Sequence, residues 1–286
     1  MPELPEVETI RRGLKDCLMR ERGGKILEVK VLEGKSFIGE PSKVVGAEVV
    51  EMRRRGKALI FDFDNRVSLI CHLRMTGQMI WVCEKERFAG GHPNDSFISE
   101  LPNRQTRVIL EFEEGKLFFN DQRKFGFMKV VETREVEEDA FIRKLAKEPW
   151  EMEGVELFEK LQRHKGAPIK SVILDQTVIC GLGNIYADEA LYYAKVNPKR
   201  KAGGLTLAEA EKLVEGARVV MERSLEAGGS TIRNYVKSDG TKGDYLTLFA
   251  EVFNRQGQAC RRCGEAIEKT KVGGRGTHFC PKCQKA

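Results

Sequence analysis

Four cysteines near the end of the chain constrain its fold more than any other feature. Cys260, Cys263, Cys280 and Cys283 stand in the pattern C-x₂-C-x₁₆-C-x₂-C. Two close thiolate pairs separated by a hairpin-sized insert suit a tetrahedral structural zinc ion, whose four positions they fill. A closed site leaves no position for substrate. The pattern therefore predicts one structural zinc per chain that stabilises a small fold and does no chemistry. The alternative is two disulfide bonds, which an oxidising compartment would favour.

The segment around these cysteines is basic. Residues 260–286 hold seven arginines and lysines against two glutamates, seven minus two or +5. Four thiolates and Zn²⁺ would add about −2 to this balance. The run Val272-Gly273-Gly274-Arg275 predicts a tight hairpin turn, because glycine adopts positive φ freely. Arg275 would then project from the hairpin tip, where it suits contact with a phosphate; the alternative is a solvated turn arginine.

Composition places the chain among globular proteins with a basic balance. Its 286 residues suffice for two domains plus the cysteine-rich finger, and the net charge of +6 would attract a polyanion such as nucleic acid. The sequence has neither eighteen consecutive apolar residues nor a signal-peptide pattern, so we expect a cytoplasmic protein with no membrane partner. The other cysteines have no shared spacing and are expected to be reduced: Cys17, Cys71, Cys83 and Cys180.

The pattern of apolar residues predicts an α+β protein with several domains. After a helix over 5–20, short β-rich runs broken by glycine predict an antiparallel sandwich or barrel up to about residue 132, and we favour the sandwich. Glycines and prolines predict a loop over 84–105. The strand-like runs are 27–31, 58–61, 67–71, 107–112 and 116–119.

An acidic run over 132–139 marks the predicted end of the sandwich, and the pattern then becomes helical. Thr206 and Glu209 form a capping box that opens the last helix, and Gly228-Gly229 ends it. The predicted domains are 1–132, a helical domain over 133–245 and a zinc finger over 246–286, with a strand-like run at 245–253. The predicted helices are 139–147, 156–164, 169–178, 184–195 and 206–227.

The first residues carry groups suited to covalent chemistry at an aldehyde-like carbon. Removal of Met1 would leave Pro2 as a terminal secondary amine, which attacks such a carbon to form an iminium ion. An α-amino group has a pKa of about 7.7–8.0, so a useful fraction is neutral at neutral pH. Glu3 could move protons at the same carbon. The alternative is an ordinary surface terminus.

Motifs along the whole chain resemble one family, the formamidopyrimidine-DNA glycosylases of bacterial base excision repair. PELPEVETIRR at the start is similar to their N-terminal signature. Arg54-Arg55-Gly56-Lys57 resembles the family's loop that carries a catalytic-site lysine. HLRMTG at 72–77 resembles the stretch whose methionine the family inserts into DNA as a wedge. GLGNIYADE at 181–189 is similar to the second half of their helix–two-turn–helix motif, and GGRGTHFCPKC at 273–283 to their zinc finger.

The resemblance implies a bifunctional DNA glycosylase and AP lyase that excises oxidised purines, such as 8-oxoguanine and formamidopyrimidines, from duplex DNA. Pro2 is then the nucleophile at C1′ of the extruded nucleotide, and Glu3 donates and accepts protons, with Glu6 in the same site. Lys57 holds a phosphate or assists the leaving group; without the motif it would be a surface lysine at a strand end. The iminium ion acidifies the C2′ hydrogens, so β- and δ-elimination follow.

Three side chains match those that the family inserts where the base was. Met75 and Phe125 would act as wedges, and Arg123 would hydrogen-bond the orphaned base. The loop departs from the family pattern, since Gln122 replaces a proline and Lys124 an arginine, which predicts a less rigid loop. For Met75 and Phe125 the alternative is core packing.

Contacts with the DNA backbone are also implied. Asn184 and Arg275 match residues that grip phosphates, Arg275 from the finger; the alternative for Asn184 is helix capping alone. Lys170 is a weaker candidate for the same contact. His72 would contact a phosphate or serve as a structural histidine. The segment 228–235 corresponds to a flap over the extruded base.

Two other functions remain open on the sequence. One is the sister group of endonuclease VIII-like glycosylases, which act on oxidised pyrimidines; Leu4 favours the purine-acting branch, because the sister signature usually has glycine there. The other is a zinc-ribbon DNA-binding protein without activity, which would have no need of Pro2, Glu3 and Lys57. In each case the expected partner is double-stranded DNA, and for either enzyme it is damaged DNA. We expect the protein to be a monomer.

Overall fold

The computed structural model describes residues 1–19, 24–228 and 249–285. Two compact units divide the chain: Met1–Arg143 form most of the first, and Lys144–Glu226 with the finger form the second. The first unit therefore extends past residue 132, where the acidic run suggested an end. The helical segment and the finger share one unit, although the sequence suggested a boundary at 246.

Five helices and twelve strands lie within the described residues. The helices are α1 (Leu4–Leu18), α2 (Gly154–Arg163), α3 (Ile169–Ile173), α4 (Asn184–Tyr193) and α5 (Leu207–Glu226). The strands are β1 (Ile26–Val31), β2 (Phe37–Ile38), β3 (Val49–Arg55), β4 (Ala58–Phe63), β5 (Val67–His72), β6 (Gly77–Cys83), β7 (Arg87–Gly91), β8 (Thr106–Phe112), β9 (Gly115–Asp121), β10 (Phe127–Glu132), β11 (Glu268–Val272) and β12 (Arg275–Phe279).

The first unit is the predicted sandwich. Its two sheets have the strand orders β1-β8-β9-β6-β7 and β2-β10-β5-β4-β3, antiparallel except for the short β2–β10 pair. Trp81 and Phe119 from one sheet and Phe61 and Leu69 from the other pack with Leu14 of α1 in one buried core. The five strand-like runs read from the sequence all fall within strands of this sandwich.

Two predictions for the first unit are wrong. The expected loop over 84–105 contains β7, whose Gly90 lies so close to α1 that a Cβ there would stand 2.4 Å from Ile10. Its glycines permit this approach and do not mark a loop. The expected helix over 139–147 is reduced to a 3₁₀ turn at Ile142–Lys144. Asp139 accepts the backbone N–H of Phe141 at 2.9 Å and forms a local turn in place of helix.

The second unit contains α2 to α5 and the finger hairpin. The predicted capping box is confirmed: Glu209 N donates to Thr206 Oγ1 at 3.2 Å, and Thr206 N donates to Glu209 Oε2 at 2.8 Å. Gly228 follows α5 with φ +79°, as expected of a residue that ends a helix. Residues 229–248, which include most of the predicted flap, lie outside the described residues.

The predicted strand over 245–253 is absent from its described part. The backbone N–H groups of Glu251, Val252 and Phe253 instead donate to the buried carboxylate of Glu189, at 2.8, 3.0 and 2.7 Å. A side-chain acceptor therefore takes the place of a partner strand. In the parts of the chain that the structure covers, no helix has the length and apolarity needed to cross a membrane.

Candidate active site and zinc finger

The candidate nucleophile lies at the start of α1. Glu3 is the N-cap of this helix and forms a capping box with Glu6, in which Glu3 N donates to Glu6 Oε2 at 2.9 Å. Both carboxylates are only 2% exposed, and Pro2 is also buried. The reciprocal hydrogen bonds fix the chain that enters the helix. Pro2 therefore occupies a buried position at the start of this helix, although Met1 before it is exposed.

Charged side chains surround this terminus. Burial lowers the pKa of the Met1 amino group, Glu3 and Glu6 raise it, and Lys57 lowers it. Lys57 is itself buried, with 6% of its surface exposed. Two carboxylates and one ammonium group thus act on the Met1 amino group.

A two-residue turn between β3 and β4 places Lys57. Gly56 in this turn has φ +56°, and its carbonyl accepts a hydrogen bond from Arg54 Nη1 at 2.9 Å. Arg54 Nε also lies 3.2 Å from Glu8 Oε2 on α1. Burial would raise the pKa of Glu8, but hydrogen bonds from the neighbouring arginines of α1 hold it at about 2. Glu8 and Arg54, which the sequence analysis missed, therefore tie the lysine turn to the helix that carries the terminus.

The side chains predicted to replace the extruded base come from two linked loops. Arg123 and Phe125 are exposed, Phe125 by 56%, and the Arg123 guanidinium lies 4.9 Å from the centre of the Phe125 ring. Asp121 accepts the backbone N–H of Gly126 at 2.7 Å and the hydroxyl of Thr76. Thr76 in turn accepts the N–H of Arg123 at 3.0 Å. Asp121 thus fixes the loop, although the loop has Gln122 where the family pattern has a proline.

Met75 lies in the second of these loops, which follows His72 at the end of β5. Arg74 has φ +51°, and its N–H donates to His72 Nδ1 at 2.9 Å. Burial, together with Arg74 and Lys57, lowers the pKa of His72 to about 3, so the ring is neutral and can accept this bond. The geometry favours the structural alternative for His72 over phosphate contact. Met75, half-buried, follows directly on the turn that His72 holds.

The finger hairpin presents Arg275 as expected. Gly273 and Gly274 have φ +54° and +76°, the conformation of a two-residue hairpin turn, and Val272 pairs with Arg275 across it. Arg275 is exposed. A Cβ on Gly273 would lie 2.2 Å from Ser171 Oγ, so glycine is also needed for the close approach of the hairpin to α3.

Lys170 and Asn184 both contact the finger hairpin. Lys170 is completely buried and donates to Gly276 O at 2.9 Å, so the idea that it contacts a phosphate finds no support in this geometry. Asn184 is the first residue of α4, not its cap, because Gly183 occupies the N-cap position. The Asn184 side chain donates from Nδ2 to the same Gly276 carbonyl at 3.0 Å.

The four cysteines converge as the spacing predicts. Their sulfur atoms all lie within 4.8 Å of one another, with Cys260–Cys283 at 3.9 Å and Cys263–Cys280 at 3.6 Å. Four sulfurs bound tetrahedrally at about 2.3 Å from zinc would be about 3.8 Å apart. A disulfide would need about 2.05 Å. The donor set therefore fits one structural zinc ion, with no position left for substrate.

Comparison with known proteins agrees with this geometry. Family models match three segments: the formamidopyrimidine-DNA glycosylase N-terminal domain at residues 1–128, its H2TH domain at 145–236, and a zinc finger found in FPG and IleRS at 257–286. Formamidopyrimidine-DNA glycosylase from Exiguobacterium sibiricum is 42% identical over 292 residues, covering 99% of each chain. That from Pelotomaculum thermopropionicum is 38% identical over 289 residues, covering 100% of this chain and 99% of the relative.

The chain belongs to the formamidopyrimidine-DNA glycosylase family. Solved structures agree, since a mutant of the Lactococcus lactis family member in complex with Fapy-dG-containing DNA superposes with a TM-score of 0.85 at 32% identity, covering 100% of both chains. The complex of the same bacterial protein with DNA containing an abasic site gives the same values. The family membership inferred from the motifs is thereby confirmed, as are the α+β fold and the structural zinc.

Proposed function

We propose that Pro2, exposed by removal of Met1, is the nucleophile with which this chain excises oxidised purines from duplex DNA. As a member of its family, the chain is a DNA glycosylase and AP lyase of base excision repair, so an inactive zinc-ribbon protein is no longer a competing function. The observation that carries the proposal is the buried Pro2 next to the N-cap Glu3, where Glu3, Glu6 and Lys57 all act on the amino group of the preceding Met1.

The first step requires a neutral amine. In the chain that still carries Met1, burial and Lys57 lower the pKa of the Met1 amino group, while Glu3 and Glu6 act in the opposite direction. We expect the same charged groups to act on the Pro2 amine once Met1 is removed, and burial to favour its neutral form. The Pro2 nitrogen forms a bond to C1′, the bond from C1′ to the base breaks, and its electron pair leaves with the base, which takes up a proton. Loss of the amine proton and opening of the sugar ring give the iminium ion, with Glu3 supplying and removing protons.

Strand cleavage then follows from the iminium ion. The positive nitrogen acidifies the C2′ hydrogens, so a carboxylate such as Glu3 can remove one proton while the 3′ phosphate leaves with its electron pair. A second elimination releases the 5′ phosphate. Lys57, buried beside the terminus, would neutralise a phosphate or support the departing group.

Duplex DNA is the partner, and both units offer groups suited to it. The Phe125 ring, which is 56% exposed, suits insertion between base pairs, with Met75 and Arg123 from the linked loops. Arg275 and Asn184 are assigned to phosphates. We further propose that the chain acts as a monomer in the cytoplasm, whose reducing conditions suit a four-thiolate zinc site.

Borohydride trapping tests the proposal, because it reduces the iminium ion and joins protein to DNA. We expect a covalent adduct with a duplex that carries 8-oxoguanine opposite cytosine, and its loss in Pro2→Gly. The variant should still bind a duplex with a tetrahydrofuran abasic analogue, which controls for folding. An adduct of wild-type yield in Pro2→Gly, or Met1 retained in the active protein by mass spectrometry, would overturn the assignment of Pro2.

One observation keeps oxidised pyrimidines as a second substrate class. The Lactococcus lactis relative has been solved in complex with DNA containing an oxidised pyrimidine, at 32% identity to this chain. A parallel trapping reaction on such a duplex separates the two. Trapping mainly on the pyrimidine lesion would reassign the substrate class without affecting the role of Pro2.

A further inference from the structure

A buried ion pair joins the helices of the second unit to the finger hairpin. Lys170 Nζ lies 2.7 Å from Asp188 Oδ1, and neither side chain is exposed at all. Lys170 also donates to Gly276 O and to Thr277 Oγ1, both at 2.9 Å. The other oxygen of Asp188, Oδ2, accepts the backbone N–H of His278 at 2.8 Å. We call Lys170 and Asp188 the hairpin clamp.

Stability alone does not explain this pair. Removing two charges from water costs more than their attraction commonly returns, and apolar side chains of similar volume often stabilise a core equally well. What charged groups provide in addition is direction, because each donor and acceptor must face a partner. The hairpin clamp holds three consecutive residues of β12, from Gly276 to His278, in one orientation.

The Gly276 carbonyl connects the hairpin clamp to Asn184. This oxygen accepts from Lys170 Nζ at 2.9 Å and from Asn184 Nδ2 at 3.0 Å. A carbonyl oxygen repels another acceptor, so its position decides which end of the Asn184 amide faces the hairpin. The Asn184 nitrogen faces it, and the second N–H of that group is directed by the same contact. Arg275 directly precedes Gly276, so the clamp also fixes the base from which Arg275 projects.

We propose that Lys170 and Asp188 are positioning residues for phosphate binding. They orient the Gly276 carbonyl, which in turn holds the Asn184 amide ready to donate to a DNA phosphate. Neither residue touches the DNA. The inference rests on the proposed function, in which Asn184 and Arg275 bind the backbone of the damaged duplex.

Replacing both charges separates positioning from stability. Lys170→Met or Asp188→Leu alone leaves one buried charge without its partner and should lower the melting temperature. The double variant removes both charges and should recover it, with one zinc per chain. We nevertheless expect the double variant to bind a tetrahydrofuran-containing duplex about tenfold to a hundredfold more weakly, the range for an impaired hydrogen bond to a charged group. A stable, zinc-loaded double variant with wild-type affinity would overturn the proposal.

Asp188→Asn provides a second route if the double variant is unstable. The amide keeps the size of the side chain and an acceptor for His278 N–H, but weakens the hold on Lys170. In either background, Asn184→Ala should cost much less affinity than it does in the wild-type protein, because the clamp acts through Asn184.

The two possible failures are distinguishable. Equal costs of Asn184→Ala in the wild-type and clamp backgrounds overturn the clamp while leaving the proposed function intact. A wild-type protein that binds the tetrahydrofuran duplex no better than an undamaged one contradicts the proposed function, and the clamp proposal with it.

Discussion

The two units place their functional groups in different ways. In the first unit, Glu3 is bound to Glu6 three residues away, and Lys57 sits in a two-residue turn. In the second unit, Asn184 is held by Gly276, 92 residues further on, and Lys170 bonds Thr277 across 107 residues. The groups proposed for the chemistry are thus positioned mainly by local structure, and the groups proposed for phosphate contact by tertiary structure.

This difference predicts different consequences of damage. A local cap or turn persists as long as its own few residues are ordered, so changes elsewhere should leave the terminus and Lys57 in place. The groups proposed to bind phosphate depend on the finger, on α3 and on α4 together. Anything that loosens the finger should therefore weaken DNA binding before it affects the chemistry.

Glu3→Gln should have the largest effect and should fall on chemistry alone. The amide oxygen can still accept the capping hydrogen bond, so the start of α1 should remain in place, but an amide cannot exchange protons. We expect base excision to fall by about 10²- to 10⁴-fold, the usual contribution of general acid–base catalysis. Single-turnover cleavage of an 8-oxoguanine duplex measures this.

The affinity for a tetrahydrofuran duplex should be unchanged in the same variant. Glu137→Gln is the matched control, since Glu137 is 68% exposed on the same unit. If Glu3→Gln excises the base at the wild-type rate, Glu3 has no part in the mechanism. If the variant loses affinity to the same extent as activity, the proposed separation of chemistry in the first unit from phosphate binding in the second is wrong.

Zinc removal should come next in size and should act on the second unit. The finger packs against the helices of this unit through its side chains. For instance, the Arg262 guanidinium lies 4.0 Å from the centre of the Tyr192 ring on α4. Loss of the metal should therefore destabilise the helices as well as the finger. A few kcal/mol would lower the melting temperature by roughly 10 °C, and binding to the tetrahydrofuran duplex should weaken.

Each unit carries one of the two tryptophans, which makes this prediction measurable. Trp81 lies in the core of the sandwich, and Trp150 Nε1 donates to Glu222 Oε1 at 2.7 Å in the second unit. In Trp81→Phe and Trp150→Phe variants, fluorescence reports one unit at a time. Chelation should lower the midpoint seen by Trp150 and leave that of Trp81 unchanged. A matching drop at both tryptophans would show that the units do not respond separately.

The sequence predicted those features that depend on neighbouring residues. The zinc ligands, the glycine turn before Arg275 and the capping box at Thr206 all follow from short spacings, and the structure confirms them. The role of Asp188 could not be found in this way, because an aspartate inside a helix pattern gives no sign of the lysine and the hairpin it will meet. For the same reason the sequence makes Lys170 a candidate, though a weaker one, for phosphate contact and predicts a loop where β7 lies.

Glu8 combines local and tertiary positioning, because it contacts arginines of its own helix and Arg54 of β3. Its replacement should have a smaller effect than Glu3→Gln or zinc removal. Its pKa of about 2 in the folded protein is below that of an unfolded glutamate, so its ion pairs stabilise the fold above about pH 5. This stability is lost as the pH falls towards 2. Glu8→Gln should lower the free energy of unfolding at pH 7 by about 1–2 kcal/mol, after allowance for solvent screening, and flatten its acid dependence. Urea titrations from pH 7 to pH 3, followed by the fluorescence of Trp81, measure both the free energy and its acid dependence.

Because Glu8 is linked to the Lys57 turn through Arg54, Glu8→Gln should also cause a modest loss of cleavage rate. An unaltered acid profile would mean that Arg54 and the Lys57 turn are held without it, and that the first unit is positioned even more locally than the structure indicates.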